Sequence, residues 1–177
     1  MKKTIRISNL KPLSINSTYY GTGSGFTKTA KARKWTHEAF FQLDKEDNKK
    51  AMADLREHFN PDLHCYRVEL TAYYPKSEMY TRQGRVSART HDLTNWEKAI
   101  VDCIFLPAHF ERSVPDGCEN LNADDKYIVD LSSRKRAGTK GYEIVAVVEI
   151  LELEVIDNVS EATAAVPAHH DGAEVGD

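Results

Sequence analysis

Apolar residues recur along this chain with two different periods, and each change of period marks a new element. Thr4-Ile5-Arg6-Ile7 alternates and predicts a short strand. From Lys11 to Phe26 the chain is punctuated by Pro, Ser, Asn and Gly, which predicts a loop. Between Thr27 and Leu43 the spacing of Ala32, Trp35, Ala39, Phe40 and Leu43 is helical. Asn48 to Phe59 continues as helix with Met52, Leu55 and Phe59 on one face, and Asn60-Pro61 ends it. His64 to Tyr74 alternates again, with Val68, Leu70, Ala72 and Tyr74 on one side of a strand.

Pro75 to His91 is polar and basic and reads as an exposed, mobile loop. Asn95 to Phe105 is a helix whose buried stripe is Trp96, Ala99, Ile100, Cys103 and Ile104, with Asn95, Lys98 and Asp102 on the polar face. Thr94 and Glu97 have capping-box spacing and place the helix start at Thr94. A second long loop runs from Pro107 to Ala123. Lys126 to Ser133 and Tyr142 to Leu153 read as two strands joined by a turn over 134–141, hence a hairpin. The order β-α-β-α-β-β predicts an α+β domain over 1–155: one mixed sheet of about four strands with helices packed on it. Residues 156–177 are small and acidic without periodicity, which predicts a disordered tail. Trp35 and Trp96 are expected in the core.

Composition narrows the class. A chain of 177 residues with 41% hydrophobic and 29% charged residues can bury a core without disulfides or structural metals. No apolar run is long enough to span a membrane, and Thr4 to Asn9 is no signal-peptide core, so a cytoplasmic location is expected. Cys65, Cys103 and Cys118 show no ligand-like spacing and read as reduced thiols. The net charge of −3 hides an uneven distribution. From Glu149 to Asp177 there are eight acids and no Lys or Arg, so residues 1–148 carry 24 bases against 19 acids, a net of +5. A mildly basic body with an acidic tail is compatible with nucleic-acid binding and does not require it. His169-His170 lies in the tail and reads as incidental.

Carboxylates gather at Asp92, just before a helix start, and at Asp124-Asp125, at a strand start. Magnesium needs only one or two carboxylates held still, with substrate phosphate filling other positions. Asp92 and Asp125 meet that need if folding brings them together. On a strand, only one of Asp124 and Asp125 would point at the ion. The plainer readings stay open: Asp92 favours the helix dipole, Asp124-Asp125 is a solvated turn, and Lys98 with Asp102 is a surface pair.

Four stretches bear on the choice. They are Lys11-Pro12-Leu13-Ser14-Ile15-Asn16-Ser17-Thr18-Tyr19-Tyr20; Asp92-Leu93-Thr94-Asn95-Trp96-Glu97-Lys98-Ala99-Ile100-Val101-Asp102; Asn122-Ala123-Asp124-Asp125-Lys126-Tyr127-Ile128-Val129; and the basic turn from Arg134 to Lys140. Together, over roughly residues 5–150, they resemble the RusA family of Holliday junction resolvases, common in phages and prophages. The first is similar to the family's Pro-Ser-Asn opening with its Tyr-Tyr pair. The second is similar to the signature Asp-Leu-Asp-Asn-x-x-Lys-Ala-x-x-Asp and is the most specific.

The resemblance implies a homodimeric, Mg²⁺-dependent endodeoxyribonuclease (Mn²⁺ also possible) that hydrolyses phosphodiesters in four-way DNA junctions during recombination and repair. It implies Asp92 and Asp125 as metal ligands, with Asp124 beside them, and Lys98 as the residue stabilising phosphate charge. Asn95 and Asp102 are implied as supporting residues. The chain departs from the signature at Thr94, where a second aspartate is usual. Threonine still caps the helix but removes one negative charge from the metal site. Water, Glu97 or Asp102 would replace that ligand, or the protein binds junctions and cuts poorly. The Pro107–Ala123 loop and the second half of the first helical region are longer than the family pattern.

Lys76, Arg82, Arg85, Arg89, Arg134, Lys135, Arg136 and Lys140 are the expected contacts to flanking phosphates, which position DNA without reading its sequence. Two readings compete with the nuclease. One is a branched-DNA-binding protein without full activity. The other is a small interaction protein of a phage operon, in which the acids are only caps and turns.

Overall fold

The computed structural model describes residues 1–14, 19–22, 25–88, 90, 94–106, 119–138 and 141–153. Asp92, Arg89, Cys118, Lys140 and the acidic tail with its His pair lie outside the described residues.

A four-stranded mixed sheet carries the fold. Its strands are β1 (Lys2–Ser8), β4 (His64–Pro75), β5 (Ile128–Gly138) and β6 (Glu143–Glu152), in the order β1-β6-β4-β5. β4 is central: it pairs antiparallel with β6 and parallel with β5. The pleat sets two faces. Ile5, Ile7, Val68, Leu70, Ala72, Ile144, Ala146 and Val148 join one hydrophobic core with α1 (Ala30–Leu43), α2 (Glu46–His58) and α4 (Thr94–Phe105). Trp35 and Trp96 belong to it. Among the described residues no helix is long and apolar enough to cross a membrane. The expected α+β domain with about four strands in a mixed sheet is therefore present.

Several local expectations need correction. The stretch expected as a loop from Lys11 to Phe26 contains β2 (Tyr19–Thr22), which pairs antiparallel with β3 (Gly25–Lys28). Thr27 and Lys28 thus belong to a strand. The helix expected from Thr27 begins at Ala30, because the Thr29 hydroxyl accepts the Ala32 N–H at 3.0 Å and caps it. α2 begins at Glu46, two residues early.

The expected hairpin between the last two strands is absent. β5 and β6 lie on opposite sides of β4, and the link between them crosses the end of that strand. Pro75 ends β4 there, and the chain turns out of the sheet into α3 (Lys76–Met79). Two glycines flank this link. A Cβ on Gly138 would stand 3.1 Å from the Tyr73 Cβ, and Gly141 has φ +103°. β5 also extends to Gly138, so Arg134, Lys135 and Arg136 are strand residues and not turn residues.

Within the Pro75–His91 segment, residues 79–87 form a small hairpin. Tyr80 bridges Val86, and the Ser87 N–H donates to the Met79 carbonyl at 3.0 Å. Residues 80–86 are all exposed, between buried Met79 and Ser87.

The two sheet edges differ. On β1, Asn48 replaces a neighbouring strand: its Oδ1 accepts the Arg6 N–H at 2.9 Å and its Nδ2 donates to the Arg6 carbonyl at 2.7 Å. Nδ2 also donates to the Gln42 carbonyl at 2.7 Å, which ties the α1–α2 junction to the sheet. Asn48 is 4% exposed, so its loss takes this partner from both Arg6 backbone groups, while the Gln42 carbonyl keeps the Lys45 N–H at 3.3 Å. Asn48→Ala is expected to lower the unfolding free energy by about 2–4 kcal/mol, read from urea denaturation. A loss below about 0.5 kcal/mol would show that water replaces the amide.

Candidate functional site

The C-terminal turn of α4 is where the structure assembles carboxylates. Buried Asn120 closes that turn: its Nδ2 donates to the Cys103 carbonyl at 3.1 Å and to the Leu106 carbonyl at 2.5 Å, and its Oδ1 accepts the Asn122 N–H at 2.9 Å. Two backbone bonds continue the attachment, from Leu121 N–H to the Ile104 carbonyl and from Ala123 N–H to the Phe105 carbonyl, both at 2.8 Å. Arg56 secures the segment from α2, donating to the Asn120 carbonyl and to Glu119 at 2.7 Å each.

The chain then enters a 3-10 turn, Asp125–Tyr127, before β5. The strand-alternation expectation for Asp124 and Asp125 therefore fails, since neither residue is in a strand. The Asp124 carboxylate accepts the Lys126 N–H at 3.0 Å and caps this turn, and an ion pair to the Lys126 amine lies at 3.5 Å. Its pKa is lowered, chiefly by that backbone hydrogen bond.

Asp125 is brought within electrostatic reach of Asp102, on the third turn of α4. Asp102 is sheltered, with a side chain only 10% exposed, and its carboxylate accepts the Lys98 amine at 3.1 Å. Burial raises its pKa. Lys98 and Lys28 pull the other way, and Asp125 adds to the rise. Lys28, at the end of β3, is held partly dry: burial lowers its pKa, while Cys103 and Asp102 counter this. Two carboxylates and two amines thus share one small region. Cys103, behind Asp102, is buried and its thiol is pushed up to about 12, so it offers no thiolate at neutral pH.

Of the expected site residues, Asp102, Asp125 and Lys98 come together. Asp92 lies outside the described residues, and of Thr94 and Asn95 the structure describes the backbone as the first turn of α4. An α-helix rises 1.5 Å per residue, so Thr94 is about 12 Å along the axis from Asp102. Glu97, expected to complete a capping box, accepts the Ser133 hydroxyl and joins α4 to β5.

The expected phosphate contacts divide among different surfaces. Lys76, Arg82 and Arg85 are exposed around the small hairpin. Lys135 lies on the helix-bearing side of β5 and donates to the Thr90 hydroxyl at 3.2 Å. Arg134 and Arg136 fall on the opposite side, where Arg134 donates to Glu69 at 2.6 Å and to Thr71 at 3.1 Å. Lys28 and Asn120 were missed in the sequence. Lys28 joins the site through the packing of a hairpin on a helix far along the chain, and Asn120 sits in a loop with no periodic signal.

The donor set suits a hard divalent cation in kind, since Asp102 and Asp125 offer only oxygen. Among the described residues no group of three or more His, Cys, Asp or Glu converges. Two carboxylates meet the minimum for magnesium, which keeps several waters. No family model matches the chain, and no curated protein matches it.

The raised pKa of Asp102 fixes the sign of a pH effect. In the metal-free protein, stability associated with the protonated carboxyl is present below the ordinary aspartate pKa and is lost as pH rises through the higher folded value. Asp102→Asn cannot ionise and escapes that loss. Its stability relative to the parent, from denaturation in chelator, should therefore improve between about pH 3 and pH 7. A difference that is flat or reversed over that range contradicts the assignment.

Proposed function

We propose that this chain is a structure-selective endodeoxyribonuclease that hydrolyses phosphodiesters in branched DNA with a bound Mg²⁺. The observation that carries the reading is the sheltered Asp102 carboxylate, 10% exposed and bonded to Lys98 at 3.1 Å, with Asp125 and Lys28 within electrostatic reach. A desolvated carboxylate beside a second one stores repulsion that a divalent cation relieves. The resemblance to RusA-like resolvases supplies the substrate class, and the basic body of the chain agrees with it.

In this reading Asp102 and Asp125 would hold the ion, with Asp92 contributing from the segment ahead of α4. When bound, the ion would polarise the phosphodiester and lower the pKa of water. Lys98, whose side chain is 53% exposed, would set its amine against the scissile phosphate and offset the charge that develops there. Lys28, at the end of β3, would add a second positive charge within electrostatic reach of Asp102. Asp102 takes the place of the carboxylate that the signature would have at Thr94. Paired cuts on opposed strands of a junction need two copies related by a two-fold axis.

Incubation with a synthetic four-way junction and a linear duplex, with and without Mg²⁺, tests the reading. Cutting of the junction alone, and only with the ion, is the expected result. Asp125→Asn and Asp102→Asn should each reduce cutting by roughly 100-fold or more while junction binding is retained. Binding should weaken steeply with salt, because phosphate contacts release counterions. Absence of cutting at any divalent concentration overturns the nuclease assignment.

A second reading has one specific support. The departure at Thr94 leaves one carboxylate fewer than the signature, so a branched-DNA-binding protein without cutting activity fits the same surface. It predicts preferential junction binding that Asp92→Asn and Asp125→Asn leave unchanged, with no cleavage by the parent.

A further inference from the structure

The small hairpin after β4 carries chemistry that the carboxylate site does not use. Its geometry is tightly specified. The Thr81 N–H donates to the Arg85 carbonyl at 2.8 Å, the Gly84 N–H to the Thr81 carbonyl at 3.0 Å, and the Arg85 N–H to the Thr81 hydroxyl at 3.2 Å. Gly84 takes φ +77° to close the turn, a conformation that L side chains rarely adopt. At the foot, Met79 and Ser87 are buried, and the Thr90 N–H and hydroxyl both donate to the Ser87 carbonyl. Thr90 in turn accepts from Lys135, which fastens the hairpin to β5.

Beside the hairpin is a cleft of about 890 Å³ lined by Lys76, Ser77, Tyr80, Thr81, Arg82 and Ser87. Its size is within the range of small-ligand sites. Its wall has an unusual composition: two cations, three hydroxyl-bearing residues and one exposed aromatic ring. The sole acid between Lys76 and His91 is Glu78. Lys11 engages Glu78 at 2.7 Å, and the Tyr142 hydroxyl donates to it as well. Lys76 and Arg82 therefore act on the cleft with no carboxylate lining it among the described residues.

We propose that this cleft binds an unpaired nucleotide of a DNA strand, with the base against the Tyr80 ring and the adjoining phosphates on Lys76 and Arg82. Cationic side chains alone would serve any duplex, since phosphates are equally exposed in all DNA. An aromatic ring among them discriminates, because a base offers its flat face only when it is unpaired and unstacked. The closed hydrogen bonding of the hairpin fixes the backbone that carries Tyr80 and Arg82 before binding, which lowers the ordering cost. The inference deepens the branched-DNA reading and rests on it for the source of the strand: a branch point is where bases lose their partners.

The test uses the full chain and three fluorescently labelled probes: a short oligo-dT, a fully paired duplex and a four-way junction. Tyr80→Ala is expected to weaken oligo-dT binding roughly 5- to 100-fold, the range for loss of one stacked base, and to leave duplex binding unchanged. Tyr80→Phe should retain the parent affinity. Arg82→Ala should weaken all three probes and flatten the salt dependence. Equal oligo-dT binding by parent and Tyr80→Ala overturns the inference, as does an equal loss for duplex. If the parent binds and cuts junctions yet ignores oligo-dT, the cleft assignment falls and the nuclease reading stands. If oligo-dT binding depends on Tyr80 but no junction is cut or preferred, the cleft assignment stands and the nuclease reading falls.

Discussion

One buried amide holds the candidate site together. Asn120 fills the hydrogen-bonding vacancy at the end of α4, where the last carbonyls of a helix have no partner of their own. The same side chain accepts the Asn122 N–H, so the bonds that finish the helix also fix the course of the following chain. Asn122 itself adopts φ +51°, a turn asparagine tolerates better than most residues. Three residues later Asp125 comes within electrostatic reach of Asp102. Two backbone bonds, Arg56, the buried Leu121 and Ala123 and the packing of Tyr127 on Phe59 complete the attachment of this segment.

The sheet performs a different service on each face. Its inner face is apolar and anchors three helices, which sets α4 over β5. Its outer face is a lattice of alternating charge, with Lys2 and Arg134 on Glu69, and Arg67 between Asp130 and Glu149. Such exposed pairs contribute little individually, about 0–1 kcal/mol. Their effect is to keep this face wet and the sheet open on one side, as an antiparallel arrangement allows. The carboxylate site, the hairpin and Lys135 all belong to the helix-bearing side.

Much of the architecture was legible because burial imposes a period. β4 and α4 were readable from Val68, Leu70, Ala72 and Tyr74, and from Trp96, Ile100, Cys103 and Ile104, since each set must face the core. Topology was not legible. Gly138 and Gly141 carry the same signal whether a chain doubles back beside its neighbour or steps over an intervening strand, and only the pairing of β4 with both β5 and β6 decides. The site was half legible: Asp102, Lys98 and Asp125 stood out as charged residues at structured positions. Lys28 did not, because its place depends on a contact across more than seventy residues, and local patterns contain no trace of that.

The basic residues of β5 show why a run of like charge is a poor guide to a binding patch. Arg134, Lys135 and Arg136 are adjacent in sequence, yet strand alternation sends Lys135 to one side and the two arginines to the other. Arg134 is occupied by Glu69, so its charge is largely offset. β5 is moreover an edge strand, with Val129 60% and Leu131 43% exposed. Charged side chains on an edge discourage another strand from adding there. Edge protection therefore accounts for Arg134 and Arg136 without any ligand. Lys135 faces the same side as Glu97 and Thr90 and bonds the Thr90 hydroxyl, which edge protection leaves unexplained. On the proposed reading, Lys135 would meet a substrate phosphate on that side of the sheet.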